Sequence, residues 1–426
     1  MSNPTILSTS KVIPEVKSEI GKLEGVVLHT PGSEVENMTP ETVAKALYSD
    51  ILNLEVAGHE YNQFRGVLER YTTTYQVREL LLEVLKNTSA RNELVHSVCD
   101  HERVPRLRDE MLNMDPVDLT TILIEGIEIK RDNLSRYLSR DRFELEPLHN
   151  FFFTRDSSIT VGNEVFISKM ASRIRDRESQ IMKAIFDYHP LFETTTVNPL
   201  SSKHLCKEFS FEGGDLLVAR EDILLIGTGS RTSPKGIDFI IDHYKHKCVK
   251  QHLIIQELPY EPESFIHLDM AFTFLDKDLC MIYEPLIVHN SRFLTIHIAI
   301  DNGRVKITEE PTIMHALKKL GMDLRSINCG GNKDVVFQER EQWHSGANFF
   351  ALEPGKIIGY GRNQHTIEEL NNNGFDVIRA KDIIRGKESV YNHNKCVVTI
   401  EGSELSRGGG GCRCMTMPVR RSTINW

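Results

Sequence analysis

A glycine-rich segment near the end of the chain carries two cysteines that could act as nucleophiles. Residues 407–414 read RGGGGCRC, with Cys412 and Cys414 on either side of Arg413. Four consecutive glycines let the backbone bend sharply and approach a ligand closely. A cysteine beyond such a loop, flanked by Arg413, could be exposed and have its thiolate favoured. The segment is equally compatible with a flexible loop, or with a metal site that lacks a second ligand pair at zinc-like spacing.

A histidine and an aspartate stand two residues apart in a second segment, residues 265–270, which reads FIHLDM. On a strand, His267 and Asp269 would project from the same face into one site. Histidine is the natural proton carrier near neutral pH, and a neighbouring carboxylate orients it and raises its pKa. Taken alone, the pattern is also common in purely structural positions.

Two further segments combine acidic side chains with turns or aromatic residues. Residues 211–215 read FEGGD, and residues 150–156 read NFFFTRD. Each is compatible with a simple turn and salt bridge, but together the acids and aromatics suit a guanidinium group. That group is planar, permanently cationic and carries five N–H donors. Carboxylates accept paired hydrogen bonds from it, and an aromatic slot holds its flat face.

Cysteine, histidine and several acids together indicate covalent hydrolysis of such a cation. Attack on its central carbon needs a strong, soft nucleophile, and a histidine can protonate the departing nitrogen. The same residue types also fit a cysteine protease, and the inventory alone does not separate the two.

The segment between residues 77 and 138 has the composition of a helical subdomain. Apolar residues such as Leu81 and Leu85 recur at helical spacing. Asp115 followed by Pro116 is typical of a helix start. We therefore predict a helical insertion over residues 77–140, which interrupts a catalytic part formed by residues 1–76 and 141–426.

From residue 151 onward, strand-like runs alternate with helical segments, which predicts an α/β fold. Two Gly-Gly turns, at residues 213–214 and 330–331, hint at related modules. The predicted strands are Ile223–Ile226, Leu253–Ile255, Ile357–Tyr360 and Val397–Ile400, and the predicted helices are Ile237–Tyr244 and Thr366–Asn372.

Composition and charge exclude several classes of function. The chain has 426 residues, of which 40% are hydrophobic, and a formal net charge of -9, which disfavours nucleic-acid binding. No apolar stretch is long enough for a signal peptide or a transmembrane helix. The eight cysteines are scattered along the chain and are expected to be reduced thiols. The expected location is the cytoplasm.

The four motifs FTRD, EGGD, HLDM and GGGGCRCMTMP, in that order, resemble those of arginine deiminases in the guanidino-group-modifying superfamily. The segment GKLEGVVLHTPGSEVENMTPE and the stretch Cys329–Asn363 resemble the same family, so the likeness covers nearly the whole chain. It implies a five-bladed pseudo-symmetric α/β propeller with an inserted helical subdomain. It also implies hydrolysis of free L-arginine to citrulline and ammonia through a covalent cysteine intermediate, as in arginine catabolism. No cofactor, metal, nucleic acid or membrane is expected to take part, and the protein is expected to be a homo-oligomer.

The resemblance also assigns catalytic roles. Cys414, immediately before Met-Thr-Met-Pro, is expected to be the nucleophile, and His267 the general acid and then the general base. Asp156 and Asp269 are expected to hold the guanidinium, and Glu212 to join them while pairing with His267. Cys412 stands where the family usually has another residue and is interpreted as a bystander.

Five further residues are expected to serve the substrate. Arg175 and Arg231 match the positions that bind the α-carboxylate, and Asn150 and Phe153 match positions of substrate contact and aromatic packing. Asp215 is expected to support its loop. A ring of carboxylates raises the pKa of a nearby thiol, so we expect the bound guanidinium itself to activate the nucleophile.

Other functions of the same site remain open from the sequence. Agmatine deiminases, amidinotransferases and methylarginine hydrolases share the cysteine, histidine and acids. The pair Arg175 and Arg231 disfavours agmatine, which has no carboxylate, and a transferase would need room for a second amine. An arginine sensor without turnover is a further alternative. One departure is Tyr48-Ser49-Asp50-Ile51, where Phe-Asp-Asp-Ile is expected, which could alter loop packing or substrate access.

Overall fold

The computed structural model of the protein combines short strands and helices along nearly the whole chain. It describes residues 11–39, 50–199, 208–289, 292–332 and 334–426. Tyr48 and Ser49 lie outside these ranges. The strands are β1 (Leu23–Leu28), β2 (Thr73–Gln76), β3 (Ile127–Glu128), β4 (Phe143–Leu145), β5 (Ser158–Val161), β6 (Glu164–Ile167), β7 (Thr195–Val197), β8 (Leu216–Arg220), β9 (Ile223–Thr228), β10 (Gln251–Glu257), β11 (Phe272–Asp276), β12 (Leu279–Ile282), β13 (Thr295–Asp301), β14 (Arg304–Glu310), β15 (Arg325–Asn328), β16 (Phe350–Glu353), β17 (Lys356–Tyr360), β18 (Asp376–Arg379), β19 (Cys396–Ile400) and β20 (Met417–Arg421).

The α-helices range from single turns to five turns. They are α1 (Ser33–Glu36), α2 (Leu54–Tyr71), α3 (Val77–Leu85), α4 (Thr88–Glu102), α5 (Arg108–Asn113), α6 (Pro116–Glu125), α7 (Leu134–Tyr137), α8 (Thr154–Ser157), α9 (Asp176–Tyr188), α10 (Pro234–Lys247), α11 (Glu284–Ile287), α12 (Ile313–Lys319), α13 (Val335–Trp343), α14 (Gln364–Asn372) and α15 (Ala380–Ile384). Among the described residues, no helix has both the length and the apolar composition needed to cross a membrane.

Within the described residues, five sheets repeat one arrangement of three strands. Two strands pair antiparallel, and a third lies parallel to the second of them. The five sets are β5–β6–β7, β8–β9–β10, β11–β12–β15, β16–β17–β19 and β20–β1–β2. Because parallel strands need a crossover, helical segments such as α9 and α10 bridge the second and third strands. The last set joins both ends of the chain, since β20 pairs with β1.

The innermost strands are buried on both faces, which explains their sequences. All but the last residue of β9 are buried, and β9 lies between β8 and β10. A strand that is covered on both faces reads as a continuous apolar run rather than an alternating one. The runs predicted as strands fall within β9, β10, β17 and β19, and the predicted helices fall within α10 and α14. These predictions are confirmed.

The segment from residue 77 to residue 137 is mainly helical. It contains α3 to α7, and the side chain of Asp115 accepts a hydrogen bond of 2.8 Å from the amide of Val117 at the start of α6. Its apolar residues do not form a separate core, because Leu81 shares one cluster with Val165 of β6 and Met417 of β20. The helices therefore pack directly on two of the repeated sheets.

The first strand of each repeated sheet follows a loop or short helix that carries a polar or thiol side chain. Asp156 stands two residues before β5, Glu212 four before β8, Asp269 three before β11, Asn348 two before β16 and Cys414 three before β20. The repeated arrangement thus places one such residue at the same end of every sheet.

Candidate active site

A narrow cavity lies where these loops meet. Its free volume is about 20 Å³, which is close to the space of one water molecule. A wider cavity of about 810 Å³ shares Arg231 and Ile266 with it. The free volume of the narrow cavity is too small for an amino acid. Its lining consists of Asn150, Phe153, Asp156, Arg175, Arg231, Ile266, His267, Gly408, Gly409, Gly410 and Cys414.

His267 lines this cavity and forms a buried pair with Glu212. His267 Nε2 lies 2.9 Å from Glu212 Oε2, and the two residues are 1% and 0% exposed. Burial opposes both charges, but Asp156 and the Glu212 hydrogen bond outweigh it and raise the pKa of His267. For Glu212, the His267 bond and Arg231 outweigh burial and lower the pKa. The pair is therefore an imidazolium and a carboxylate near neutral pH, with the His267 Nδ1 atom left to face the cavity.

The backbone before β11 departs from the prediction, because His267 and Asp269 do not lie on a strand. His267 is extended, and Leu268–Met270 forms one turn of 3₁₀ helix before β11 begins. The strand interpretation of this motif was wrong, although His267 reaches the cavity and Asp269 contacts Cys414.

Asp156 faces His267 from the short helix α8. Its Oδ1 atom lies 3.6 Å from His267 Nδ1 and, although buried, has no hydrogen-bond partner. Its Oδ2 atom accepts a 2.8 Å hydrogen bond from Arg175, which also pairs with Glu178 on α9. A Cβ at Gly214 would come within 2.5 Å of His267 Nδ1, so only glycine allows this close approach. One buried carboxylate oxygen is thus directed at the cavity.

The thiol of Cys414 lies beside Asp269. The Sγ atom is 3.7 Å and 3.9 Å from the two carboxylate oxygens. Cys414 is only 3% exposed. Burial raises the pKa of this thiol well above its ordinary value, and Asp269 and Asp156 add to the shift.

An exposed cysteine with a favoured thiolate is therefore not what the structure shows. The guanidinium of Arg413 bonds Glu19 through Nε and Nη2 and Asp269 Oδ2 at 2.7 Å. Its charge lowers the pKa of the Cys414 thiol, but burial and the carboxylates of Asp269 and Asp156 outweigh it. The pKa of the thiol is raised instead, as we expected from the surrounding carboxylates.

The remaining predicted residues line or support the cavity. Phe153 packs against Phe152 at 4.1 Å between ring centroids and contacts the glycine loop. Asn150 and Arg231 border the cavity. Asp215 accepts a 2.9 Å hydrogen bond from the amide of Leu268 and so braces the loop of His267.

Two residues near the motifs have other surroundings. Cys412 is fully buried in a hydrophobic cluster, and burial raises the pKa of its thiol. Asp50 is the aspartate that this chain shares with the expected Phe-Asp-Asp-Ile sequence. It pairs with Arg407 at the start of the glycine loop.

Three of these side chains are close enough to share a metal ion. Candidate ligand atoms of Asp156, Glu212 and His267 all lie within 4.8 Å of one another. However, Glu212 already bonds His267 Nε2 and the amide of Ala171. A metal ion would have to break these two bonds, whereas an organic cation between Asp156 and Asp269 would leave them intact, so the arrangement fits an organic cation better than a metal.

Four buried residues were not identified from the sequence. Glu178 holds Arg175, Glu19 holds Arg413, Arg155 donates its amide to the carbonyl of Cys414, and Asn348 bonds the nucleophile loop. Asn348 stands shortly before a strand, as the other site residues do. This position in the sequence is the signal that could have identified it.

Comparisons with known proteins identify the family that this chain matches. A family model described as arginine deiminase matches residues 45–421. The arginine deiminase of Bacillus cereus is 33% identical over 430 residues, which covers 96% of this chain and 98% of that protein. The arginine deiminase of Borrelia garinii subsp. bavariensis is 31% identical, with 96% and 97% covered.

Solved structures show the same fold at low sequence identity. The amidinotransferase SxtG of Microseira wollei has a TM-score of 0.54 at 13% identity, with 96% of this chain and 98% of that one covered. The N-terminal domain of ArgZ, a cyanobacterial arginine dihydrolase, has a TM-score of 0.52 at 13% identity, with 94% and 99% covered. The sequence identity extends over nearly all of the chain, and the chain therefore belongs to the arginine deiminase family.

Proposed function

We propose that the protein hydrolyses free L-arginine to citrulline and ammonia through a covalent intermediate on Cys414. One observation carries this proposal. A buried thiol stands beside one carboxylate, Asp269, in a cavity where a second, Asp156, has an unpartnered oxygen. Such an arrangement suits a cation whose central carbon is to be attacked.

The substrate guanidinium would lie between the carboxylates of Asp156 and Asp269. Their oxygens accept its N–H groups, and Phe153 covers its aliphatic stem. Arg175 now donates to Asp156 Oδ2, so the substrate cation would replace it there. The Nη1 group of Arg175 then becomes available to the α-carboxylate, together with Arg231 and Asn150.

The first chemical step is attack by sulfur. The pKa of the Cys414 thiol is raised by burial and by two carboxylates. The bound cation offsets their charge, so the thiol gives up its proton to solvent and the thiolate forms when substrate is present. Sulfur bonds to the guanidinium carbon, and the tetrahedral adduct expels ammonia as His267 Nδ1 protonates that nitrogen. An S-linked amidine remains on Cys414.

The second step is hydrolysis of this intermediate. His267, now neutral, takes a proton from a water molecule that adds to the same carbon. The C–S bond then breaks as the added hydroxyl gives its proton to the departing sulfur, which releases citrulline, restores the Cys414 thiol and leaves His267 as an imidazolium. Glu212 stabilises the imidazolium that forms in this step, because its carboxylate bonds Nε2.

We extend the proposal to the architecture. The five repeated sheets, together with the pairing of β20 and β1, support a closed five-bladed propeller. The helices α3 to α7 support an insertion over residues 77–140. A cytoplasmic homo-oligomer remains a prediction.

The test is a parallel assay of citrulline and ammonia from L-arginine and from agmatine. The proposal predicts equal amounts of both products from arginine, little turnover of agmatine, and no activity in Cys414→Ser. Cys412→Ser is the matched control and should keep wild-type activity. Arginine binding without products in the wild type would indicate a sensor, and an active Cys414→Ser would exclude this nucleophile.

A further inference from the structure

The buried carboxamide of Asn348 joins the loop of the nucleophile to the loop of Asp269. Asn348 is 2% exposed and stands two residues before β16. The other four repeated sheets place Asp156, Glu212, Asp269 and Cys414 shortly before their first strands. Asn348 thus occupies the fifth such place, with an uncharged side chain.

Both ends of this carboxamide bond backbone atoms. Its Oδ1 atom accepts hydrogen bonds from the amide of Arg413 at 2.9 Å and from the amide of Cys414 at 3.3 Å. Its Nδ2 atom donates to the carbonyl of Asp269 at 3.0 Å. One side chain therefore connects the backbones of the two residues whose side chains meet at the thiol.

The glycine loop packs closely against the same carboxamide. A Cβ at residue 411 would come within 2.6 Å of Asn348 Oδ1 and 2.7 Å of its Cβ. Gly411 therefore allows the chain to approach Asn348 just before the two bonded amides. The backbone from residue 411 to residue 414 is held along one edge of a single side chain.

We propose that Asn348 is a positioning residue that sets the separation between the Cys414 thiol and the Asp269 carboxylate. This inference rests on the proposed function. The role requires a group that accepts two N–H bonds and donates one. A carboxylate can accept but cannot donate, and an alkyl side chain can do neither.

Loss of the carboxamide would release both loops at the thiol. Two amides and one carbonyl would lose their partner in the interior, and the loop would relax to find others. A misplacement of about 1 Å in an active site lowers the rate by roughly 100-fold. Substrate binding also uses Asp156 and Arg231, which Asn348 does not bond, so KM should change far less.

The experiment compares Asn348→Ala and Asn348→Asp with Asn363→Ala. Asn363 is an equally buried amide whose 3.0 Å bond goes to the carbonyl of His344 rather than to Asp269, Arg413 or Cys414. We expect Asn348→Ala to lower kcat by roughly 100-fold, with KM changed by less than about threefold. Asn348→Asp keeps the acceptor and should lose only about tenfold in kcat. Its added negative charge should also move the acidic limb of kcat/KM to higher pH.

The control separates positioning from stability. Asn363→Ala should also lower Tm, though by less than Asn348→Ala because it loses one bond to the backbone rather than three, and it should keep the wild-type kcat. If Asn348→Ala does not fold, Asn348→Asp provides the test, through its reduced kcat and the shift in the acidic limb of its kcat/KM profile. A wild-type kcat in either Asn348 variant, or an equal loss of kcat in Asn363→Ala, would overturn the positioning role. Failure of the proposed function is distinct, since the wild type would then form no citrulline or Cys414→Ser would stay active.

Discussion

Replacing Glu212 by glutamine tests whether its carboxylate keeps the proton on His267. Burial alone would lower the pKa of His267, but Asp156, Glu212 and Asp215 raise it to about 9. The imidazolium is the acid that protonates the leaving ammonia. Activity should therefore persist as pH rises and fall only as the pH passes the pKa of this histidine.

The size of the effect follows from the 2.9 Å bond between Glu212 Oε2 and His267 Nε2. A hydrogen bond to a charged group contributes about 1.5–3 kcal/mol, against about 0.5–1.5 kcal/mol for a neutral one. Glutamine keeps an acceptor but removes the charge. The protonated form of His267 is then stabilised by roughly 1–1.5 kcal/mol less, which lowers its pKa by about one unit. The Glu212→Gln variant should thus lose its acid at lower pH than the wild type.

The assay is kcat for citrulline formation from about pH 6 to about pH 10. We expect the basic limb of the Glu212→Gln profile to move down by about one pH unit or more. The matched control is Glu34→Gln, which alters another buried pair, in which His29 Nε2 lies 3.0 Å from Glu34 Oε1. An unmoved basic limb in Glu212→Gln, or an equal shift in the control, would refute the role given to this carboxylate.

Three other substitutions test the surroundings of the thiol. Arg231→Ala should raise KM for L-arginine by roughly 10- to 100-fold, because a charge-assisted bond to the α-carboxylate is lost; an unchanged KM in the citrulline assay would contradict this role. Glu19→Gln should destabilise the protein at neutral pH by about 3 kcal/mol, since Arg413 outweighs burial and lowers the pKa of Glu19 to about 2. Because the pKa of Glu19 is depressed, the wild type loses this stability as pH falls from about 4.5 to about 2. The difference in free energy of unfolding between wild type and Glu19→Gln, measured with denaturant, should therefore shrink over that range. A difference that stays constant with pH would contradict this role of Glu19. Gly410→Ala would place a Cβ within 2.5 Å of the Phe153 ring, so kcat/KM should fall by at least about tenfold, and an unchanged value would remove Phe153 from the substrate path.

The sequence predicted the elements whose signal is local. The apolar run of β9 and the helical spacing of Leu81 and Leu85 each reflect burial by near neighbours, and both elements were found as expected. The short turn at Leu268–Met270 was missed because an alternating pattern of four or five residues does not distinguish a strand from an extended residue followed by a 3₁₀ turn.

Long-range contacts account for what the sequence could not predict in the site. The environment of Cys414 was misjudged because Arg413, its neighbour in sequence, extends to Glu19, which is 394 residues away along the chain. The bond between Asn348 and the amide of Cys414 likewise joins loops of different sheets. Such pairings depend on how the five sheets meet, which no local spacing reveals. The roles of the site residues themselves remain predictions.

The most direct test of the central claim is the mass of the protein during turnover. The wild type would be mixed with L-arginine, quenched with acid within milliseconds, and digested for peptide mass analysis. The account predicts a transient amidino adduct on the peptide that contains Cys414, which disappears as citrulline forms and is absent in Cys414→Ser. Citrulline production without any adduct on Cys414, or an adduct on Cys412 instead, would contradict it.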